Sequence, residues 1–278
     1  MKRSLKVLAA LTPLLAFLPA VVVAQSNAPV VAVLVFENGS FGKDAKDFDG
    51  IGKGVMDLMI TDLASNSKVR VVDRERVQKI LEEQNLTKSG AVDPQTAVRL
   101  GKMFGACYSI YGTFIRASNG ENALTVHTTS NETGQIQNAQ KVTSKGDDVM
   151  ALIAEASAKF ANAMDVKACT GTAGTRTGDA GAMQQSAPTR TAPVMKDAAP
   201  TTANTGPELY AKRMTDGEKK QLESVKLDAR SMLLYSRALD AQDRKEKAKA
   251  IALYQQVFDK YPTFSPAADR LSALKSGD

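Results

Sequence analysis

The chain has 278 residues, enough for one or two domains with their own hydrophobic cores. Its formal net charge of +6 is unevenly placed: residues 1–27 hold three basic residues and no acidic one, whereas residues 28–168 hold 16 basic against 17 acidic residues. A nucleic-acid-binding protein needs a basic face with stacking aromatic side chains. With 5% aromatic residues, no tryptophan and a near-neutral central region, the chain is not expected to bind nucleic acid.

The first 24 residues have the pattern of a signal peptide. Lys2, Arg3 and Lys6 precede an apolar run, and small or modest residues precede Gln25, as signal peptidase requires. Prolines inside the run disfavour an uninterrupted membrane-spanning helix. We expect cleavage after Ala24 and a periplasmic mature protein without integral membrane insertion. A retained membrane anchor is the alternative.

The segment that follows is predicted to begin with a βαβ unit. The Val-rich run 29–36 is typical of a strand buried on both faces. Apolar residues at helical spacing over 51–63 predict a helix, and residues 69–72 a second short strand. Because strand, crossover helix and strand follow in this order, the two strands are expected to be parallel. Asp73 and Asp93 are predicted to cap two further helices.

The second part of this segment is predicted to add antiparallel strands to the sheet. Residues 107–115 predict a third strand, and the alternating runs 124–129 and 136–143 predict two half-buried strands joined by a hairpin. A final helix over 149–160 carries an apolar stripe. Residues 28–168 are therefore predicted to form an α/β (α+β) domain with a mixed sheet.

Two further regions follow this domain. Residues 169–206 consist mainly of Ala, Thr, Gly, Pro, Gln and Ser, a composition that predicts a disordered linker. Residues 207–278 predict a small all-α module. Its apolar residues indicate one long helix over 222–239, a second over 248–258 and a short third over 266–274.

The candidate chemical motifs have simpler structural interpretations. His127 is the single histidine and lies in an alternating strand, so no nucleophile–base–acid set can be assembled around it. The glycines of 50–54 lack the residues that complete a phosphate-binding loop, and helix-entry flexibility explains them. The charged runs 74–76 and 82–83 are expected on the solvated face of a helix. We therefore predict no catalytic, cofactor-binding or metal-binding residues, and no enzyme.

The chain contains two cysteines, Cys107 and Cys169. Export would place both in an oxidising compartment, where a disulfide can tie the last helix of the domain onto the sheet. Two independent buried thiols are the alternative, because the sequence does not give the distance between them.

The predicted domain resembles the curli production assembly/transport component family (CsgG-like proteins). The resemblance covers roughly residues 29–166 and rests on VAVLVFEN, DLMITDL, VRVVDRERVQKILEEQNL, SGAVDPQTAVRLGKMFGACYSIYGTF and NETGQI. It implies an anticodon-binding-like periplasmic domain. It also implies a part in the export or assembly of extracellular fibres and surface structures.

The sequence departs from the family pattern at two places. The family's pore is anchored by an N-terminal lipidated cysteine, and this sequence has none near its predicted cleavage point. The pore is also built from two long transmembrane hairpins, whereas the matching places hold only residues 117–121 and 144–147. Since a membrane-spanning hairpin needs roughly 20 residues, we expect a non-pore member without its own barrel hairpins.

The resemblance also indicates a candidate partner-contact loop. In the family's pore, the loop after the first strand contacts the exported chain. The matching loop runs from Asn38 to Phe48, and Asn38, Phe41 and Phe48 are the contact candidates, with both rings expected to be exposed or half-exposed. An ordinary mobile loop without a partner is the alternative.

The C-terminal segment resembles a single tetratricopeptide-like helical pair. Ala250, Tyr254 and Pro262 stand at the expected intervals, but Ala238 replaces a glycine that is usual in the first helix. One such repeat cannot bury a solenoid core alone. A degenerate repeat with a capping helix and a generic helical hairpin both remain open.

These observations leave three hypotheses. The first is a non-enzymatic periplasmic protein, associated with the outer membrane and with protein partners of the envelope, that supports assembly or transport of cell-surface structures; homo-oligomers fit it. The second is a periplasmic scaffold or adaptor that binds a partner through the C-terminal helical repeat. The third is an envelope enzyme, which ligand-dependent thermal stabilisation would reveal.

Overall fold

A computed structural model of the chain describes residues 28–43, 45–83, 93–144, 146–163 and 210–277. The predicted signal peptide, the predicted linker and Cys169 lie outside these ranges. The strands are β1 (Val30–Val33), β2 (Glu37–Asn38), β3 (Arg70–Val71), β4 (Tyr108–Arg116), β5 (Asn122–Ser130) and β6 (Ile136–Ser144). The helices are α1 (Gly52–Ala64), α2 (Arg74–Glu83), α3 (Pro94–Met103), α4 (Val149–Ala163), α5 (Asp216–Glu223), α6 (Ala229–Asp243), α7 (Lys247–Lys260) and α8 (Ser265–Ser276). Among the helices of these ranges, none combines the length and apolar character that crossing a lipid bilayer requires.

The strands form one mixed sheet in the order β3-β1-β4-β5-β6, with β2 beside β4. β1 is parallel to both β3 and β4, and β5 is antiparallel to its two neighbours, β4 and β6. The predicted βαβ unit and the mixed α/β fold class are therefore confirmed. β1 is buried along its whole length, because it lies between two strands and under helices.

Helices cover both faces of this sheet. Gln140 on β6 donates a hydrogen bond to the carbonyl of Lys159 on α4, which packs beside α1. Ser109 on β4 donates to the carbonyl of Ala97 on α3. Across the sheet, Gln140 is in register with Gly112, so these two positions share one face. Ser109 lies three residues before Gly112, and because side chains alternate along a strand, Ser109 points to the other face. The two helices that these side chains contact, α3 and α4, therefore lie on opposite faces of the sheet.

The connections that flank β5 and β6 are short. Residues 117–121 close the β4–β5 hairpin, with the Ala117 N–H bonded to the Glu121 carbonyl and Gly120 at φ +83°. At this φ a residue without a Cβ avoids the steric cost of the left-handed region. The whole length of β4 and β5 is used in pairing within the sheet.

The regular elements of residues 210–277 are all helices, as predicted, but the first part of this segment differs from the prediction. The expected single helix over 222–239 is wrong, because α5 ends at Glu223 and α6 begins after Asp228. The Asp228 side chain accepts a hydrogen bond from the Ser231 N–H and so caps α6. The predicted second and third helices are confirmed as α7 and α8.

The apolar residues from which α7 was predicted, Ala248, Ile251, Ala252 and Phe258 with Gln255, do not form its most buried face. Ala250, Tyr254 and Val257 are buried, whereas Ala248 and Ala252 are exposed. Leu and Phe side chains elsewhere on α7 only border the core. The small Ala250 lets α6 and α7 approach, and the Tyr254 ring lies 5.8 Å from that of Tyr235 on α6.

The helical segment and the α/β segment share one hydrophobic core. The Ala211 N–H bonds to the Val71 carbonyl at the edge of the sheet, and the Val149 N–H bonds to the Leu227 carbonyl. α6 packs along α1. The boundaries at residues 168 and 207 stay predictions, but within the described ranges the two parts form one packed unit.

Candidate functional site

The predicted contact loop, residues 38–48, is organised by Asn38. Its side-chain amide donates hydrogen bonds to the Ala45 carbonyl at 2.8 Å and to Asp49 Oδ1 at 2.7 Å. Its Oδ1 accepts a hydrogen bond from the Ser40 N–H at 3.0 Å. Because both ends of the amide are used inside the loop, Asn38 fixes the loop's shape, and its part in a partner contact stays a prediction.

The two phenylalanines of this loop differ in exposure. Phe41 is 59% exposed, as expected. Phe48 is only 6% exposed, so the expectation of an exposed or half-exposed ring is wrong for it. Its ring lies 6.4 Å from that of Phe114 on β4, because the short 3-10 turn over Ala45–Phe48 folds it back onto the sheet. The two rings therefore have different functions, Phe48 anchoring the loop and Phe41 facing solvent.

The loop forms one wall of a groove of about 740 Å³. Phe41, Lys43 and Phe48 line this wall. The β4–β5 turn over 117–120 closes one end. The opposite wall is α6, which belongs to the C-terminal segment, so the groove exists only where the two segments meet.

The α6 wall combines cationic and apolar side chains. Arg230, Leu234 and Arg237 stand four and three residues apart, a spacing that places them on one face of a helix. Sequence reasoning missed these residues, although their spacing was a usable signal. Arg116 from β4 completes the lining, bonded to Asp147 and Asn122 and with its guanidinium 5.9 Å from the centre of the Phe48 ring.

A buried ionic network holds α6 in place behind this groove. Asp57 on α1 lies at its centre and accepts hydrogen bonds from the Tyr235 hydroxyl at 2.6 Å and from Arg270 Nη2 at 2.7 Å. Arg74 Nε lies 3.3 Å from Asp57 Oδ1, and Arg74 Nη1 donates to Asp243 at 2.9 Å. The network therefore joins α1 and α2 to α6 and α8.

The carboxylates of this network keep the buried arginine side chains positively charged. Burial would lower the pKa of Arg74, but the Asp57 and Asp243 carboxylates outweigh it and the pKa is raised. The pKa of Arg270 is likewise raised against burial by Asp57. Burial and the neighbouring Asp57 carboxylate raise the pKa of Tyr235 well above its ordinary value, so this hydroxyl stays a donor.

Arg74 is the clearest failure of the sequence-based expectation. The run 74–76 was expected on a solvated helix face, but the Arg74 side chain is only 3% exposed. The partners that bury it, Asp57 and Asp243, are 17 and 169 residues away in the chain, beyond the reach of local patterns. Glu75, Glu82 and Glu83 are exposed, as expected.

The glycines at the start of α1 serve close packing, which corrects the predicted flexibility. A Cβ at Gly52 would lie 1.6 Å from the Phe36 carbonyl oxygen, and one at Gly54 would lie 2.3 Å from Ser236 Oγ. The Gly54 N–H donates to Ser236 Oγ at 2.8 Å, and the Ser236 hydroxyl donates to the Ile51 carbonyl. A side chain of α6 thus occupies the helix start where a phosphate would have to bind.

Other residues singled out in the sequence are not brought together. The His127 ring stacks on Tyr111 at 5.5 Å in the sheet. Within the described residues, no three His, Cys, Asp or Glu side chains are grouped as metal ligands. Cys107 is buried immediately before β4, and its pairing with Cys169 stays a prediction because Cys169 lies outside the described ranges.

Several solved structures are similar to part of this chain. Lipoprotein GNA1162 from Neisseria meningitidis matches at 15% identity over 48% of this chain and 97% of its own, with a TM-score of 0.37. The LpoB C-terminal domain from Escherichia coli matches at 17% identity over 42% and 83%, with a TM-score of 0.32. A PelC dodecamer from Paraburkholderia phytofirmans matches at 15% identity over 52% and 93%, with a TM-score of 0.30. No curated protein matches the sequence.

The model of the family described as "Curli production assembly/transport component CsgG" matches residues 22–121. This segment is shorter than the stretch 29–166 on which the resemblance rests, and it ends before β5. The tetratricopeptide-like character of the C-terminal segment stays a prediction. For residues 22–121, which contain the 38–48 loop, α1 to α3 and β1 to β4, the similarity of this chain to the CsgG family is confirmed.

Proposed function

We propose that this protein is a non-enzymatic periplasmic protein that supports the assembly or transport of cell-surface structures. The observation that carries the proposal is the family match over residues 22–121, which includes the whole 38–48 loop. In this chain the loop faces a groove whose other wall is α6. The groove is therefore the contact site that we assign to an envelope partner.

The leader and the short connections support the stated location. The pattern of residues 1–24 favours export with cleavage after Ala24. The β4–β5 connection spans residues 117–121 only, and β6 is followed by α4 after four residues. We propose a mature protein in the periplasm that associates with the outer membrane through its partners and not by inserting into it.

The contact is tested by photo-crosslinking in living cells. A photo-reactive phenylalanine analogue at position 41 of the full chain is expected to crosslink an envelope protein. The same analogue at position 136 is the matched control, because Ile136 is also an exposed apolar residue, at 51% against 59%, but lies on β6 away from the groove. Crosslinks of equal yield at both positions, or none at position 41, would contradict the proposal.

The adaptor function of the C-terminal segment is the second candidate. It is favoured by the packing of α7 on α6 through Ala250 and Tyr254, which leaves one face of α7 exposed at Ala248 and Ala252. A photo-reactive residue at position 252 tests this face in the same experiment. Crosslinks from position 252 without any from position 41 would favour the adaptor over the first function.

A further inference from the structure

Positive charge is concentrated in the groove. Among the described residues, four cationic side chains line it, from Lys43, Arg116, Arg230 and Arg237, against the carboxylate of Asp47. The α/β segment as a whole is nearly neutral. Residues 207–278 hold 14 basic against 11 acidic residues, so the excess of cations in the groove is steeper than the average of either segment.

Of these four cations, only Arg116 has a carboxylate partner in the described part of the chain. Arg116 is bonded to Asp147 and Asn122, so its charge is already compensated. Arg230 and Arg237 are exposed, and within the described ranges neither forms an ion pair; Arg237 only reaches the Asp47 backbone carbonyl at 3.4 Å. A guanidinium binds carboxylates and phosphates with paired N–H donors, so these two residues are available to an anionic ligand.

Apolar side chains separate the cations. Leu234 is half-buried between Arg230 and Arg237 on α6, and the exposed Phe41 ring faces α6 across the groove. Arg230 and Arg237 are seven residues apart, or about 10 Å along the helix axis. An extended chain advances roughly 3.3 Å per residue and alternate side chains share one face, so two carboxylates four residues apart, about 13 Å, with an apolar residue midway would reach both flexible arginine side chains.

We propose that the groove binds an extended, acidic segment of a protein partner that carries an apolar side chain between its carboxylates. The proposal rests on the protein-contact function proposed above and specifies the chemistry of the partner. The carboxylates pair with Arg230 and Arg237, and the apolar side chain lies against Leu234 and Phe41. The groove's size is in the range of roughly 300–1,000 Å³ that is usual for ligand sites.

A peptide fits these observations better than a membrane surface. The cations line a concave site between a loop and a helix, where an extended chain can enter but the flat surface of a bilayer meets only the rims. An anionic lipid surface also attracts basic clusters without a requirement for an apolar side chain in register with them. The alternation of charge and apolar surface on α6 is thus what selects the peptide.

The proposal is tested by fluorescence anisotropy on the full mature chain. The probe is a short labelled peptide with two glutamates on each side of a phenylalanine. We expect it to bind, and Arg230→Glu combined with Arg237→Glu to weaken binding by at least tenfold, because both carboxylate contacts become repulsive. Arg99→Glu combined with Lys102→Glu, which reverses two exposed charges on α3, is the matched control and is expected to leave binding unchanged. Binding should also weaken as salt is raised.

Further probes separate the components of the site. Replacing the peptide's glutamates by glutamines, or its phenylalanine by serine, should each weaken binding severalfold, and Phe41→Ser should reproduce the second effect. Equal binding by the double arginine variant, or binding of anionic phospholipid vesicles but not of peptide, would overturn the proposal. If position 41 still crosslinks an envelope protein while acidic peptides do not bind, the partner chemistry is wrong and the contact function stands. If neither occurs, both fail.

Discussion

The molecule uses two pairs of arginines in opposite ways. Arg74 and Arg270 lie between helices, with side chains 3% and 24% exposed, and both contact Asp57. Arg230 and Arg237 lie on the outer face of α6 and contact no carboxylate within the described residues. The first pair joins the two segments of the chain, and the second is free to meet a partner.

The environment of an arginine, and not its presence alone, therefore indicates its function. A buried guanidinium loses its hydration and must be paired, so removing its carboxylate is costly. An exposed guanidinium keeps its hydration and contributes little to stability when unpaired. Changes at the buried pair should therefore lower stability, whereas changes at the exposed pair should lower binding and leave stability nearly unchanged.

The largest effect is expected from Asp57→Ala. This change leaves Arg74 with Asp243 alone and Arg270 with the Tyr235 hydroxyl, so buried positive charge is no longer compensated. We expect the free energy of unfolding to fall by about 3–5 kcal/mol in urea denaturation. Asp47→Ala, an exposed carboxylate of the groove loop, is the control, with an expected change within about 0.5 kcal/mol. A loss below about 1 kcal/mol for Asp57→Ala would show that the network does not hold the segments together.

Gly54→Ala probes the same contact by steric means. Its methyl group would lie 2.3 Å from Ser236 Oγ and 2.9 Å from Met232 Sδ, so α1 and α6 must move apart. We expect a loss of about 1–3 kcal/mol, which exceeds the gain from replacing a helical glycine. Combined with Ser236→Ala, the loss should be smaller than the sum of the two single changes by about 0.5 kcal/mol or more. Strict additivity in this cycle would refute a direct contact.

Asp228→Asn tests the start of α6 and its dependence on pH. Burial would raise the pKa of Asp228, but hydrogen bonds from Lys260, Tyr261 and Ser231 lower it below its ordinary value of 3.8. A carboxyl group whose pKa is lower in the folded than in the unfolded state stabilises the fold at pH values above its unfolded-state pKa. This contribution is lost as the pH falls below about 4. We expect the variant to lose about 1 kcal/mol at pH 7, with the difference from the native protein shrinking as the pH is lowered from 4. A difference that is constant over this pH range would contradict the assignment.

The smallest effect on stability is expected from Arg230→Ser together with Arg237→Ser. Both side chains are exposed and unpaired among the described residues, so each change should alter the free energy of unfolding by no more than about 0.5 kcal/mol. The melting temperature should be nearly unchanged while binding of the acidic peptide is weakened severalfold. A marked loss of stability would show that these arginines belong with Arg74 and Arg270, and the comparison would fail.

Local patterns in the sequence predicted most of the α/β segment. The burial of β1, the cap at Asp93, and the α4 stripe that includes Val149 and Phe160 all follow from residues within one or two helical turns of each other. The break between α5 and α6 was missed because apolar residues continue across it at Val225 and Leu227, both of which are buried in the core. Because this loop is buried, its apolar residues were read as part of a helix stripe.

The candidate site was predicted only in part, for a different physical reason. The loop from Asn38 to Phe48 was identified by resemblance, but its orientation depends on hydrogen bonds of Asn38 and on the packing of Phe48 against Phe114. The second wall, α6, comes from a segment about 190 residues away in the chain. No periodicity in either segment indicates that they meet, because the contact is specified by pairs such as Gly54 and Ser236.

The pairing of Asp57 with Arg270 spans 213 residues. During synthesis, the first turn of α1 therefore waits for Ser236, and the Asp57 carboxylate waits for a guanidinium in the last helix. Until then the nascent chain exposes an apolar helix face, and Arg74 alone is at hand to balance the Asp57 carboxylate, a state open to chaperones and proteases. Premature termination anywhere before residue 270 should thus yield products that quality-control proteases remove, even when every residue of the α/β segment has been made.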